Sequence, residues 1–195
     1  MKKIALVSAL LLSMGTAQAA ETLRWDSMSV SYDSVDLDGE KVSGFSLSGT
    51  KLVAENVFLE VNYGSISDDI DVANMKIDVE MDSFSIGAGY RHALAENTDV
   101  FGIFSFEDVN SKASLGDISE RDNGNGYGLE TGIRSLVTEQ LELMGSISYI
   151  AIKDDSETSF NASALYHFTD QFSAGLGYST ADDVDVVSLS AVWFF

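Results

Sequence analysis

The chain has 195 residues and is strongly acidic, with 31 Asp and Glu against 11 Lys and Arg and a formal net charge of −20. A chain this acidic repels the phosphate backbone, which argues against nucleic acid as a partner. It contains no cysteine and no proline, so no disulfide supports the fold and no residue lacks the backbone N–H that a β-ladder uses.

The start of the chain has the pattern of an export signal. Lys2-Lys3 precedes an apolar run from Ile4 to Leu12, and Ala17-Gln18-Ala19 has the small-x-small form of a cleavage site. The apolar run is too short for a transmembrane helix, which needs about 20 residues. The sequence therefore predicts a cleaved signal peptide over 1–19 and a single mature domain over 20–195.

Almost all of the remaining chain alternates large apolar side chains with small or polar ones, and this period of two indicates β-strands. The first segment is typical, because Met28, Val30 and Tyr32 alternate with a row of serines. About ten segments of this kind are predicted, with eight as the alternative count. In chain order they lie near 24–35, 41–52, 57–63, 75–92, 99–109, 125–135, 140–152, 158–168, 172–178 and 187–195.

Two of these segments are irregular. The large side chains of the fourth change parity between Met81 and Phe84, which predicts a β-bulge near Asp82-Ser83. The fifth carries Phe101 and Phe104 on opposite faces, so its sequence leaves open which face is turned toward apolar surroundings.

The connections alternate between short turns and longer, mostly acidic loops. Short turns are predicted near 53–56, 93–98, 136–139 and 169–171, and loops near 36–40, 67–74, 110–124, 153–157 and 181–185. Most carboxylates fall in these loops or at the adjoining strand tips, and we count Asp33, Glu107 and Glu157 among them. The alternation predicts an even number of antiparallel strands, with both termini at one end and the acidic loops at the other.

Two all-β architectures fit such strands. A soluble sandwich hides its large side chains between two sheets, whereas a transmembrane barrel turns them toward lipid and its small ones inward. The aromatic residues favour the barrel, because they fall into two groups, as rings at the two membrane interfaces do. The first group is Tyr32, Tyr63, Tyr127, Tyr149 and Tyr178; the second is Tyr90, Tyr166, Phe168, Trp193 and Phe195. We therefore predict an all-β fold, a single closed antiparallel transmembrane β-barrel.

The C-terminal segment carries a family resemblance. Val187-x-Leu189-x-Ala191-x-Trp193-Phe194-Phe195 is similar to the sorting signal that outer-membrane barrels present to their assembly machinery. The mature chain as a whole resembles the small porin-like bacterial outer-membrane β-barrel proteins. The resemblance implies a place in the cell outer membrane, lipid and lipopolysaccharide as surroundings, and the barrel-assembly machinery as a partner through Phe195. It implies little about activity.

The predicted inner face is built mainly from Ser and Gly, with a few charges among them. Parity assigns five charged residues to the lumen: Glu60, Arg91, Glu130, Arg134 and Glu142. They form either a salt-bridge network that satisfies itself inside the barrel or a device that selects solutes. Both alternatives require opposite charges close together.

No residue pattern indicates catalysis, a cofactor or a metal site. The two histidines, His92 and His167, are expected at the end with the termini and on opposite faces, so no catalytic triad forms at the acidic rim. The segment Asp36-Leu37-Asp38-Gly39 touches the calcium-loop pattern but lacks its first and last ligands. Acidic pairs such as Asp68-Asp69 could still gather divalent cations loosely, but a solvated surface that resists aggregation explains them better.

The sequence supports two functional hypotheses from different classes. The first is a narrow, passive, porin-like channel whose acidic extracellular loops favour cations by raising their local concentration. The alternative is a non-conducting structural or surface-interaction barrel, such as an adhesin or a partner-binding protein. An outer-membrane hydrolase is the least supported, and we expect no enzymatic activity.

Overall fold

The structure, a computed structural model, describes residues 23–37, 40–72, 75–115 and 118–195. The predicted signal peptide over 1–19, and Asp38 and Gly39 of the calcium-like segment, lie outside these ranges. Ten strands are formed: β1 (Ser27–Leu37), β2 (Glu40–Leu52), β3 (Val57–Val72), β4 (Met75–Ala95), β5 (Thr98–Leu115), β6 (Ile118–Thr138), β7 (Leu141–Ile152), β8 (Asp155–His167), β9 (Phe172–Ala181) and β10 (Val184–Phe194).

The ten strands close into one antiparallel barrel. Each strand pairs with its neighbours in the chain, and β1 pairs with β10 from Ser27 opposite Phe194 to Leu37 opposite Val184. The ring therefore has no free edge along its paired length, and every strand there finds its backbone hydrogen bonds on both sides. The predicted fold class and strand number are confirmed. Among the described residues, no helix is long and apolar enough to cross a bilayer.

The two ends of the barrel differ. The start of β1, the end of β10 and the connections at 53–56, 96–97, 139–140 and 168–171 lie at one end, which we call the terminal end. At the other, distal end, β1, β3, β5, β7 and β9 finish and the strands that follow them begin. The strands of β3 to β6 run to 16–21 residues, whereas the others have 10–13. They form a wall that continues beyond the rest of the distal rim.

The predicted loops near 67–74 and 110–124 are wrong for the residues that the structure describes, because these form the paired strands of the wall. β3 and β4 remain paired as far as Val72 and Met75, and β5 and β6 as far as Leu115 and Ile118. These stretches are polar enough to resemble loops, yet each has a partner strand at its side that completes the ladder. The predicted loops near 153–157 and 181–185 are two-residue turns, in which Lys153 and Asp182 have the positive φ that tight hairpins need.

Side chains alternate between an apolar outer surface and a mixed interior. Large residues on the outside are about half exposed, among them Leu47, Phe104 and Leu176, while the intervening serines are buried. A water-soluble protein buries such side chains, so this surface requires an apolar solvent. For β5 the structure decides the open question: Phe104 faces outward and Phe101 faces inward.

The predicted β-bulge near Asp82-Ser83 is wrong. β4 keeps a continuous register with both neighbours through these residues, and its shift lies near the terminal end, between Ala93 and Ala95. The apolar parity changes because the two parts of the strand have different surroundings. Near the distal end Met81 fills the interior, and lower down Phe84 covers the outer surface.

Candidate functional site

The terminal end of the interior is filled by residues 23–26, which precede β1 and belong to no strand. We call this segment the N-terminal plug. Its Trp25 side chain is only 3% exposed. The indole ring lies 4.4 Å from the Phe58 ring and 5.7 Å from the Phe101 ring, and its N–H donates a hydrogen bond of 2.9 Å to Asp99 Oδ2.

Two arginines of the barrel wall hold the backbone of the plug. Arg134 Nη2 donates to the carbonyl oxygen of Arg24 at 3.3 Å, and its guanidinium carbon lies 4.1 Å from the centre of the Trp25 ring. Arg91 Nη1 donates to the carbonyl oxygen of Leu23 at 3.5 Å. The plug is therefore fixed by a cation–π contact and by charge-assisted bonds to its main chain.

Both arginines also pair with carboxylates of the barrel itself. Arg134 Nε lies 2.9 Å from Glu142 Oε1, and the two side chains are 1% and 0% exposed. Arg91 Nη1 lies 3.0 Å from Asp99 Oδ2. Burial of an ion is tolerated when such a partner is present, so these pairs explain how Arg134 and Arg91 are accommodated near the terminal end.

Ser173 and His167 form a spatial row with Glu142, the partner of Arg134. Ser173 Oγ and His167 Nδ1 are 2.6 Å apart, and His167 Nε2 is 3.7 Å from Glu142 Oε2. The order of groups is that of a catalytic triad, but the second distance exceeds a hydrogen bond. His167 and Ser173 are also buried, so a substrate does not reach them. His92, by contrast, is exposed on the outside.

The middle of the interior holds a small acidic cavity. Its volume is about 20 Å³, and its lining includes Glu60, Glu107 and Glu130 together with Ser85 and Ser148. That space holds roughly one water molecule. Glu107 Oε1 accepts a hydrogen bond of 3.2 Å from Ser85 Oγ, while its buried Oε2 has no hydrogen-bond partner.

The serine-rich side of the interior satisfies its own polar groups. Asp33 accepts hydrogen bonds from Ser46 at 2.8 Å and from Ser188. The hydroxyls of Ser148 and Ser159 are 2.6 Å apart, and further Ser and Asn side chains continue the pattern. These bonds leave many of the serines engaged with one another.

The distal end of the interior is filled by apolar side chains. The cluster there, which we call the distal cluster, consists of Val35, Val42, Ile66, Met81, Ala181, Val184 and Val186. These residues share the parity of the inner serines, and that parity was the signal in the sequence that could have found them. In the described residues the interior is thus closed by apolar groups at both ends.

The five charged residues predicted for the lumen occupy three places. Arg134 and Glu142 form the buried pair near the plug, Arg91 lies half-buried at the terminal end, and Glu60 and Glu130 line the central cavity. The structure brings opposite charges together in the first pair, while the last two have a third carboxylate beside them.

Sequence reasoning misplaced several interior carboxylates. Asp33, Glu107 and Glu157 were counted with the acidic loops and strand tips, but all three are buried on the inner face, as is Asp99. Their parity with the serines identifies them, whereas their acidity alone suggested exposure. Among the described residues, no group of three or more His, Cys, Asp or Glu side chains has the geometry to hold a metal ion.

Outside the barrel, the wall carries a polar surface beyond the tyrosines. A recess of about 430 Å³ there is lined by Glu80, Asp82, Asn110, Ser111, Lys112, Arg121, Asp122 and Asn123. Lys112 Nζ lies 2.9 Å from Glu80 Oε2, and the Tyr63 hydroxyl donates to Asp82 Oδ1 at 2.8 Å. The surface mixes both charges with amides, which suits a polar rather than an apolar partner.

At the terminal rim, Asp26 anchors the plug to the start of β1. Its carboxylate accepts hydrogen bonds from Lys51 Nζ at 2.6 Å and from the Leu52 N–H at 2.7 Å. Partial burial raises the pKa of Asp26, but the bonds from Lys51 and Leu52 and the charges of Lys51 and Arg24 outweigh burial, so the pKa is held below its ordinary value.

Residues 4–168 match the family model described as the outer membrane protein beta-barrel domain. None of the curated proteins compared matches the chain. Among solved structures, the translocator domain of the autotransporter NalP from Neisseria meningitidis is 11% identical with a TM-score of 0.52, covering 99% of this chain and 94% of that chain.

Two further structures are similar. The outer membrane protein OprG from Pseudomonas aeruginosa is 12% identical with a TM-score of 0.51, covering 90% of this chain and 99% of that chain. Ail, the attachment invasion locus protein of Yersinia pestis, is 15% identical with a TM-score of 0.42, covering 88% of this chain and 99% of that chain. At such identities, the likeness to NalP and OprG shows the fold alone.

Proposed function

The chain belongs to the outer membrane protein beta-barrel domain family, and from this premise we propose that it is a closed barrel that acts through its outward surface. As a member of the family it lies in the cell outer membrane. We assign the terminal end to the periplasm and the distal end, with its wall, to the outside of the cell. The observation that carries the proposal is the filled interior.

Among the described residues, apolar side chains fill both ends of the interior, which argues against the continuous wet path that conduction needs. The periplasmic end is occupied by Trp25 between Phe58 and Phe101, and the other end by the distal cluster. Apolar constrictions exclude ions because water withdraws from them. The central cavity, with room for roughly one water molecule, does not connect them. We therefore expect no steady conductance from the protein in planar bilayers at moderate salt.

The wall supports a role at the cell surface. From Phe84 to Met75, β4 continues for about 30 Å at roughly 3.3 Å per residue, above the level where the outer tyrosines end. The outward face of the wall presents Lys112 of β5 and Arg121 and Asn123 of β6 beside carboxylates. Amides and mixed charges of this kind bind polar groups such as the sugars and phosphates of lipopolysaccharide, or the surface of a protein partner.

A hairpin truncation tests this role. Because Asn110 lies opposite Asn123 in the ladder, residues 111–122 can be replaced by Asn-Gly to leave a shorter β5–β6 hairpin with a compatible turn. We expect the truncated barrel in liposomes to lose binding to vesicles that contain purified lipopolysaccharide. The matched control replaces Asp182-Asp183 by Asn-Gly, which changes another distal turn without shortening the wall or removing a residue of the recess.

Both variants should keep the heat-dependent electrophoretic shift of a folded barrel. Binding by the truncated barrel equal to that of the Asp182-Asp183 control would contradict a role for the wall.

A narrow, cation-favouring channel is the second candidate. It is favoured by the three carboxylates of the central cavity, Glu60, Glu107 and Glu130, and by the acidity of the chain. In this case the charged lumen residues act as a selectivity device, and steady conductance with a preference for cations at moderate salt would support it. In the first candidate, Arg91 and Arg134 are structural, each paired with a carboxylate of the barrel.

Three further assignments accompany both candidates. We propose that residues 1–19 direct export and are removed, and that the strand ending in Phe195 is the part which the barrel-assembly machinery binds. We propose no enzymatic role, because the serine–histidine pair found among the described residues, Ser173 and His167, is buried.

A further inference from the structure

We propose that residues 23–25 of the N-terminal plug form a detachable closure that hinges at Asp26, and that their departure opens the acidic central cavity to small cations from the periplasm alone. Other interior side chains project from strands that the closed ladder holds in place. The plug belongs to no strand, so it can leave while every strand keeps its partners.

The contacts that hold the plug are made mostly by side chains, and they form independently of the backbone ladder. Trp25 packs against Phe58 and Phe101, and the two arginines reach its main chain. Asp26, bound to Lys51 and the Leu52 N–H at the rim, marks the point from which the segment turns inward. The attachment at Asp26 makes it a natural hinge for residues 23–25.

When the plug leaves, no buried charge loses its partner. Arg134 stays paired with Glu142, and Arg91 stays paired with Asp99. A buried cation that lost its sole partner would strongly oppose opening. Here the arginines give up only carbonyl oxygens and the indole ring, and water that enters from the periplasm can replace the lost hydrogen bonds.

The plug and the central cavity are contiguous. Ile103 belongs to the same apolar cluster as Trp25, and its side chain also lines the cavity with Glu60, Glu107 and Glu130. Removal of the indole therefore uncovers the layer that contains Ile103, which lies directly beside the carboxylates. When water from the periplasm reaches the three carboxyl groups and they ionise, they attract cations, because the surrounding low-dielectric wall concentrates their field.

Opening is one-sided. The distal cluster is built from strand residues and contains none of the plug, so it stays in place when the plug leaves. The detached state is accordingly a vestibule that faces the periplasm and does not conduct. This distinguishes it from the channel candidate above, which requires a path through both ends.

Cysteine accessibility tests the proposal. The chain has no cysteine, so Ser148→Cys, in the cavity lining, introduces a single thiol. We compare its rate of modification by a small cationic methanethiosulfonate and by an anionic one in three backgrounds: the otherwise unchanged barrel, Trp25→Ala and Trp193→Ala. Trp193 is the matched control, since it lies at the same end but faces outward.

The expected result is a rise of about tenfold or more in the cationic rate with Trp25→Ala, a smaller rise in the anionic rate, and no change with Trp193→Ala. Equal rates in the two tryptophan variants would overturn the proposal. So would steady conductance of the Trp25→Ala barrel in planar bilayers, because opening would then not be one-sided.

A milder substitution provides the test if the Trp25→Ala barrel does not fold. Trp25→Phe keeps most of the apolar volume and loses the hydrogen bond to Asp99, and both variants are checked by the electrophoretic shift. A cationic rate above that of Trp193→Ala supports detachment, and a rate equal to it refutes detachment.

Discussion

The buried pair of Arg134 and Glu142 makes the sharpest prediction about stability. Their side chains are 1% and 0% exposed and 2.9 Å apart. Glu142→Gln keeps the shape of the side chain but removes its charge. At an effective dielectric of about 20 the attraction is worth about 4 kcal/mol, and the amide oxygen retains a hydrogen bond worth about 1 kcal/mol. We therefore expect a loss of about 3 kcal/mol in the free energy of unfolding.

The measurement is urea unfolding in lipid vesicles, followed by fluorescence of the two tryptophans. The double variant Arg134→Met/Glu142→Gln should lose less than the sum of the two single variants, because no unpaired cation remains. The control is Glu80→Gln, which breaks the exposed pair with Lys112 and should cost less than about 1 kcal/mol. A loss from Glu142→Gln no larger than that control would refute the reasoning.

Further variants probe the packing, the plug anchor and the outer surface. A Cβ at Gly89 would overlap the ring of Phe58, so Gly89→Ala should cost about 1–3 kcal/mol in the same unfolding measurement, whereas Gly145→Ala has room and serves as its control; equal costs would contradict the packing. Because the pKa of Asp26 is lowered on folding, its contribution to stability is present above the ordinary pKa and is lost as pH falls through the folded one. Asp26→Asn should therefore flatten the loss of stability between about pH 5 and pH 2, by less than about 1 kcal/mol, and an unchanged pH profile would count against the anchor. Leu176→Arg places a charge on the lipid-facing surface and should cost about 2–4 kcal/mol in vesicles; a neutral result would mean that this face is not in lipid.

The sequence predicted the strands where one face was consistently large and apolar. In β1, β7 and β10 the alternation is regular, and the outer tyrosines and the C-terminal aromatics marked the two ends. Prediction failed in β3 to β6 beyond the tyrosines, because the outward rows there turn polar and only the neighbouring strand keeps the backbone extended. The parity change between Met81 and Phe84 likewise reflects a change of surroundings and not a break in the ladder.

The candidate site was less accessible to sequence reasoning. Parity selected Glu60, Glu130 and Glu142 for the inside, but acidity drew Asp33 and Glu107 toward the loops, although they share that parity. The plug left no signal, because residues 23–26 are too few to show a period. Its position depends on Arg91, Asp99 and Arg134, which are distant along the chain and converge only when the ring closes.

The sequence by itself determined most of the outer surface of this barrel: which strands form, which face meets lipid in every strand except β5, and where the aromatic rings lie at the two interfaces. These features follow from a local period of two and from the transfer of apolar side chains out of water, and both can be read from neighbours in the chain. Only the tertiary structure decided what fills the interior, because that depends on which inward side chains meet across the ring.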